Sequence, residues 1–344
     1  MNKTRSEIFS QYEALQKSIK YLDGYNENGR ISDLLHSRGK IIFIGCGSSY
    51  SISKSAEKTL RRYGVNKVFA FPAGDILVNT EEYLEIFNDS LIIIPSRSGQ
   101  TSEILLALNK IKEKVDISVL SISMVKNSPI GDLSEMALEF PWAFDESVCQ
   151  TRNVTNLYAI LLYMVGLLTS QPSMIGEIRQ MVDFGPSYMT KFSDQIKSIA
   201  EKDWNHVVVL ADGVVEGIAE EGALAFKELC QLPSNHYNLL DSRHGPAVLF
   251  NKKTLLLYFL SAPQDKLQRN LVNDYLKKGC VTVVTGERAE DLDVDLNIPL
   301  PAVKHREVLG IPFIFIPQLL SLEKALKIGV DPDNPADLSP WIKL

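Results

Sequence analysis

One spacing constrains this 344-residue chain more than any other feature. Three short apolar runs begin at Ile41, Leu91 and Ile117, and three more at Val207, Leu255 and Val281, so offsets of 50 and 26 residues recur as 48 and 26. A recurrence over such a span marks a duplicated unit. Within it, Lys40-Ile-Ile-Phe-Ile-Gly45 ends in Cys46-Gly-Ser-Ser-Tyr50 and passes into a helical pattern over 51–63. Likewise Leu91-Ile-Ile-Ile-Pro95 leads through Ser96-Arg-Ser-Gly-Gln-Thr-Ser-Glu103 into a helical pattern over 104–114. Continuous apolar strands alternating with helices call for a parallel sheet covered on both faces. The expected fold is therefore α/β, with two doubly wound parallel-sheet lobes in tandem. Ile8, Tyr12, Leu15 and Ile19 stand at helical spacing and add a leading helix. Residues 1–170 are expected to hold that helix and the first lobe, and 204–344 the second. Between them, 171–203 carries Pro172, Gly176, Gly185 and Pro186 around a helical stretch and reads as a connector. Length alone allows two lobes or one long α/β domain; the repeat favours two.

Composition narrows the partners. Hydrophobic residues at 45% and charged residues at 23% are those of an ordinary globular protein. The net charge of −6 comes from intermixed acids and bases, with no basic stripe, so nucleic acid is not an expected partner. Cys46, Cys149, Cys230 and Cys280 lack CxxC spacing, which suits a reduced, cytoplasmic protein without structural zinc. The first ten residues have no apolar core and are not expected to be a signal peptide. The apolar stretch 157–168 is too short to span a bilayer and reads as a buried helix, so no membrane is expected.

Two serine clusters fall where ligands bind in open α/β sheets, beyond the carboxyl ends of strands. Ser48 and Ser49 end the first strand; Ser96, Ser98 and Thr101 end the second. Gly47 and Gly99 let the backbone turn and expose N–H groups, which at a helix N-terminus attract an anion. Such hydroxyls commonly do no more than cap the next helix. Two clusters at adjacent strand ends, with glycines interleaved, favour a phosphate site. The second lobe has Ala211-Asp-Gly-Val-Val215 and Ser261-Ala-Pro-Gln264 at the matching positions, with few hydroxyls, so one phosphate per chain is expected. Neither GxxxxGK[ST] nor GxGxxG occurs, which argues against ATP and NAD, and no cofactor or metal is expected.

Candidate proton-transfer groups lie in the second lobe. In Glu220-Glu-Gly-Ala-Leu-Ala-Phe-Lys-Glu228, Glu221, Ala225 and Glu228 share one helix face. Carboxylates on a helix are more often a solvated surface. The loop Asp241-Ser-Arg-His-Gly-Pro246 presents His244, and a loop histidine is more often structural or exposed. Moving hydrogen between adjacent sugar carbons needs a base for the carbon-bound proton and a second group to open or close the ring. A glutamate and a histidine fit those two tasks.

Taken together and in this order, Cys46-Gly-Ser-Ser-Tyr50, the 96–103 loop, Glu221-Gly-Ala-Leu224 with Lys227-Glu228, and Arg243-His-Gly-Pro246 resemble the sugar isomerase (SIS) family. The resemblance covers essentially the whole chain. It extends to the isomerase half of glutamine–fructose-6-phosphate aminotransferase and to stand-alone amino-sugar-6-phosphate deaminases, ketose/aldose isomerases and fructosamine-6-phosphate deglycases. It implies that Ser49, Ser96, Arg97, Ser98 and Thr101 hold the phosphate, with Gly47, Ser48 and Glu221 in the substrate-binding set. It further implies that Val148 contacts sugar hydroxyls, that Glu228 is the base, and that His244 opens the ring in the neighbouring subunit's site, hence a homodimer. The chain starts Met1-Asn2-Lys3 without a glutamine-hydrolysing domain, so glutamine-dependent synthesis is not expected. Ala225 and Pro340 stand where the aminotransferase has lysines, with Lys343 near the second in another register, which disfavours a Schiff base. The expected activity is 1,2-proton transfer on a hexose 6-phosphate, an amino sugar in the first instance, with or without ammonia release. A fructosamine-6-phosphate deglycase is the alternative. A non-catalytic sugar-phosphate sensor is the weaker one, because the segment before the first strand is too short for an added DNA-binding domain.

Overall fold

Runs rich in isoleucine, valine or leucine form the central strands where the repeat predicts them, and four shorter strands join at the outer positions of the sheets. The structure is a computed structural model that describes residues 2–27, 29–260, 266–287, 289, 292–342 and 344. The first sheet contains β1 (Lys40–Gly45), β2 (Val68–Pro72), β3 (Ser90–Ser96), β4 (Ile117–Ser123) and β5 (Met136–Glu139) in the order β2-β1-β3-β4-β5. The second contains β6 (His206–Ala211), β7 (Ser234–Tyr237), β8 (Thr254–Phe259), β9 (Val281–Gly286) and β10 (Leu296–Pro299) in the order β10-β9-β8-β6-β7. All neighbouring strands pair in parallel. Counted from its own first strand and read from the other edge, the second sheet repeats the order of the first. The duplication read from spacing is thus a duplication of topology. In each sheet the strand order reverses beside the first strand, and a crevice opens there at the carboxyl ends.

Helices cover the sheets. α1 (Lys3–Tyr25) and α2 (Arg30–Leu35) lead; α3 (Ser48–Arg62), α4 (Ala73–Val78), α5 (Thr80–Phe87), α6 (Ser102–Lys112) and α7 (Pro129–Asp132) alternate with the first strands. α8 (Arg152–Leu168) and α9 (Pro172–Ala200) carry the chain across, and α10 (Glu216–Leu229), α11 (Lys266–Leu276) and α12 (Gly310–Ile328) complete the second half. One apolar core runs from Ile8 on α1 through Tyr158 on α8 and Tyr188 on α9 to Phe315 on α12, and it includes Ile41 and Leu91 of one sheet with Val207 and Leu255 of the other. The two sheets therefore share a core, with separate smaller clusters on their far faces. Among the described residues, the stretch long and apolar enough to cross a membrane is Arg306–Ile328, and it is buried inside the molecule. Sequence reading singled out 157–168 and passed over this longer helix.

The contact that matters for the site is α3 against α10, one helix from each half. A Cβ on Gly217 would meet the Ser51 carbonyl oxygen at 2.1 Å, so only glycine permits this approach. The contact brings the glutamate helix of the second half to the serine loop of the first.

Candidate functional site

A cleft of about 220 Å³ opens at the carboxyl ends of β1 and β3. It is lined by Cys46, Gly47, Ser49, Ser96, Arg97, Ser98, Thr101, Glu103, Ile104, Gln150, Glu228 and residues 338–342. Gly47, at φ 52°, occupies the N-cap of α3, and no side chain caps that helix. Thr101 holds the N-cap of α6, and its hydroxyl makes no capping bond either. Capping therefore does not account for these hydroxyls. Ser96 Oγ accepts from the Gly99 N–H at 2.9 Å and Ser98 Oγ from the Gln100 N–H at 3.3 Å, which fixes the turn. Gly99 sits at φ 62°, where a Cβ would lie 2.4 Å from Ser128 Cβ. Among the described residues, none of the Ser49, Ser96, Ser98 and Thr101 hydroxyls donates a hydrogen bond, so each keeps its O–H for a guest. Four such donors beside two helix N-termini form an anion cradle.

Glu228 reaches the same cleft from α10. Burial pushes its carboxyl up to about 7, against the opposing pull of the Arg97 charge. Glu221, two turns earlier, is 4% exposed; burial and then the charge of Glu228 push it up to about 8, with the nearby Ser48 hydroxyl opposing. Among the described residues its Oε2 has no hydrogen-bond partner, and neither does the buried Ser48 Oγ. A carboxyl poised near neutrality beside an anion cradle can take a proton from a bound molecule and return it.

Gly47, Ser49, Ser96, Arg97, Ser98, Thr101 and Glu228 therefore converge, while the other candidates lie elsewhere. Ser48 and Glu221 are buried behind the cleft. Val148 is half-buried and does not line it; its carbonyl accepts from Arg97 Nη1 at 2.9 Å and its N–H donates to the Asp333 carbonyl at 3.3 Å. The Arg97 guanidinium, expected on the phosphate, binds main-chain carbonyls, including those of Ser147 and Pro340. His244 is exposed between the 3₁₀ turns Asp241–Arg243 and Pro246–Leu249, outside its own chain's cleft. Pro340 lines the cleft, whereas Lys343 and the 261–264 segment fall outside the described residues.

Sequence reasoning missed Cys46, Glu103, Ile104 and Gln150 as lining residues, although three of them stand inside or beside the quoted motifs. It brought the tail in through Pro340 and Lys343 but not its course over α6. Ser102 N–H donates to the Ile342 carbonyl at 3.4 Å, and Leu344 N–H to Ser102 Oγ at 3.1 Å, which lays 338–342 over the start of α6. The 145–151 loop is held from beneath. Buried Glu7 accepts from the N–H groups of Glu146 at 2.6 Å and Ser147 at 3.1 Å, and Asp145 from those of Thr151 at 2.8 Å and Asn153 at 3.1 Å. Burial, reinforced by the charge of Glu7, raises the Asp145 carboxyl above the usual range. Burial, helped by Glu103, raises the Cys46 thiol to about 11, so it is no nucleophile at neutral pH. All four cysteines are free, and among the described residues no cluster of His, Cys, Asp or Glu could hold a metal ion. A second groove of about 390 Å³ adjoins at Gly47, lined by Tyr50, Glu220, Lys227, Asn235 and His236 among others.

Residues 34–165 match the SIS domain. The chain is 27% identical to the glutamine–fructose-6-phosphate aminotransferase (isomerizing) of Pectobacterium atrosepticum, across 97% of this chain and 57% of that protein. It is 25% identical to the Vibrio cholerae aminotransferase of the same name, across 90% of this chain and 52% of that protein. It thus spans little more than half the length of these curated relatives. Among solved structures, glucosamine-6-phosphate deaminase of Thermotoga maritima superposes with a TM-score of 0.80 at 23% identity, covering 100% of both chains. Tagatose-6-phosphate ketose/aldose isomerase of Escherichia coli superposes with a TM-score of 0.85 at 21% identity, covering 99% of this chain and 96% of that one.

Proposed function

For a chain that carries a SIS domain, we propose phosphosugar isomerase chemistry: proton transfer between C1 and C2 of a hexose 6-phosphate, an amino sugar in the first instance, with or without release of ammonia. The observation that carries this reading is the meeting of Glu228 with the Ser49, Ser96, Ser98 and Thr101 hydroxyls in one cleft. The hydroxyls and helix N-termini take the phosphate, and the carbon chain extends toward the carboxylate. In the open aldehyde form, the C2 proton passes to Glu228 as the C1 oxygen is protonated, giving an enolamine. Glu228 returns the proton to C1, leaving an iminium at C2 that water converts to the ketone and ammonium. On a 2-hydroxy sugar the same two transfers interconvert aldose and ketose through an enediol.

His244 is assigned to ring opening in the cleft of a second copy. Its exposure supports this, as does that of Val248 at 82% and Leu249 at 62%, an apolar pair beside it that a homodimer would cover. The relatives' names support the substrate class. A fructosamine-6-phosphate deglycase is the second reading, favoured by the adjoining groove at Gly47, which could hold an amino-acid group. A panel of hexose 6-phosphates, 2-amino hexose 6-phosphates and fructosamine 6-phosphates, assayed for ketose, ammonia and amino acid, separates these outcomes. Turnover of none of them would sink both readings.

A further inference from the structure

The serine loop contains one cation, and its side chain is engaged away from the cradle. Arg97 is 4% exposed. Its Nη1 donates to the carbonyls of Ser147 at 3.1 Å and Val148 at 2.9 Å, and its Nη2 to that of Pro340. Among the described residues, none of its bonds goes to a carboxylate. The three acceptors come from two separate segments, the 145–151 loop, which reaches the cleft at Gln150, and the tail, which lines it at 338–342. Ser147 belongs to the loop pinned by Glu7, and the Val148 N–H is bound by Asp333, whose carboxylate in turn accepts from the Lys3 and Thr4 N–H groups at 2.8 Å each. Pro340 belongs to the tail that crosses the start of α6. A planar fork can hold carbonyls on both segments at once, which a lysine ammonium cannot match.

We propose that Arg97 is a positioning residue that ties the 147–148 loop to the tail at Pro340 and so closes the cleft over Glu228, rather than a ligand of the phosphate. This rests on the sugar-phosphate reading of the cleft. Among the described residues no carboxylate forms an ion pair with the Arg97 guanidinium, so main-chain carbonyls hold the buried charge in place. Arg97 also lowers the carboxyl of Glu228, so its loss acts on the base as well as on the tail.

The test uses full-length Arg97→Met and Arg97→Lys. In ligand-free protein, amide hydrogen exchange over 338–342 is expected to quicken in both variants by about tenfold or more. With a substrate that the parent turns over, kcat is expected to fall about 10- to 100-fold in Arg97→Met while the Kd for inorganic phosphate stays within about threefold. The acid limb of the pH profile moves upward in Arg97→Met and stays in place in Arg97→Lys, which a purely structural role would not produce. Should Arg97→Met fail to fold, a chain lacking 338–344 replaces it. That truncation is expected to lose kcat with phosphate affinity intact, and adding Arg97→Lys to it should cost nothing more in kcat. Unchanged tail exchange with phosphate affinity weakened more than about tenfold would make Arg97 a phosphate ligand and overturn the proposal. If the parent binds no hexose phosphate, the sugar-phosphate reading fails, and the exchange measurement still decides the tie.

Discussion

Glu228→Gln keeps the shape of the side chain and removes its capacity to accept a proton. Loss of a general base costs roughly 10²- to 10⁴-fold in kcat, or about 3–5 kcal/mol of barrier at 1.36 kcal/mol per decade. The position of the carboxyl sets a second, sharper expectation. With Glu228 at about 7, its ionised fraction is about one-tenth at pH 6 and about nine-tenths at pH 8, so kcat/KM rises about tenfold between them. The sign follows from the chemistry: only the carboxylate accepts the proton, so activity is lost as pH falls through about 7. A carboxyl in the ordinary range would leave the profile flat over the same interval. The substrate's phosphate also titrates, near pH 6, but that contribution appears equally in calorimetric binding to Glu228→Gln and can be subtracted. Steady-state rates of parent and variant from pH 5 to 9, with binding measured alongside, make the assay. A flat profile down to pH 5, or a folded Glu228→Gln within about threefold of the parent, would refute Glu228 as the base.

Other outcomes follow from the same geometry. Ser96→Ala and Ser98→Ala should each weaken inorganic phosphate binding by roughly tenfold, about the worth of one charge-assisted hydrogen bond; an equal loss for a phosphate-free hexose would contradict the cradle. Gly217→Ala pushes a methyl into the Ser51 carbonyl and should cost about 1–3 kcal/mol of stability in urea unfolding, with an unchanged midpoint as the contrary result. Because burial and Glu7 raise the Asp145 carboxyl, its contribution to stability is full below about pH 4 and is lost as pH rises through the folded value. Asp145→Asn should therefore flatten the fall in urea midpoint from pH 5 to pH 8, and identical slopes would contradict that assignment. Mixing inactive Glu228→Gln and His244→Ala chains should recover about a quarter of parental activity if sites are shared across a dimer; no recovery after confirmed subunit exchange would place both groups in one chain.

Much of the fold was legible because central strands of a parallel sheet are buried on both faces and so read as unbroken apolar runs. The missed strands lack that signature. β7 is Ser-Asn-His-Tyr and β2 ends in Pro72, and each lies at the edge of its sheet, where burial does not demand an apolar run. The long apolar α12 was passed over because a helix apolar on every side shows no amphipathic period to read. At the site, both serine loops were legible because a strand end fixes where a loop lies. That Glu228 joins them depends on the α3–α10 approach at Gly217, a tertiary contact with no local pattern around it. The resemblance counts Arg97 among the phosphate holders, and its carbonyl partners, 50, 51 and 243 residues away, leave no trace in the loop's own sequence. The tail over α6 was invisible for the same reason.

The most direct test follows hydrogen itself. Incubated in D₂O with a hexose 6-phosphate or 2-amino hexose 6-phosphate, the parent chain is expected to wash solvent deuterium into C1 or C2 by NMR. It should leave the phosphate-free sugar unlabelled, and Glu228→Gln should bind the phosphosugar without exchanging it. No exchange with any such phosphate, or undiminished exchange in the variant, would contradict a phosphate cradle that aims the sugar at Glu228.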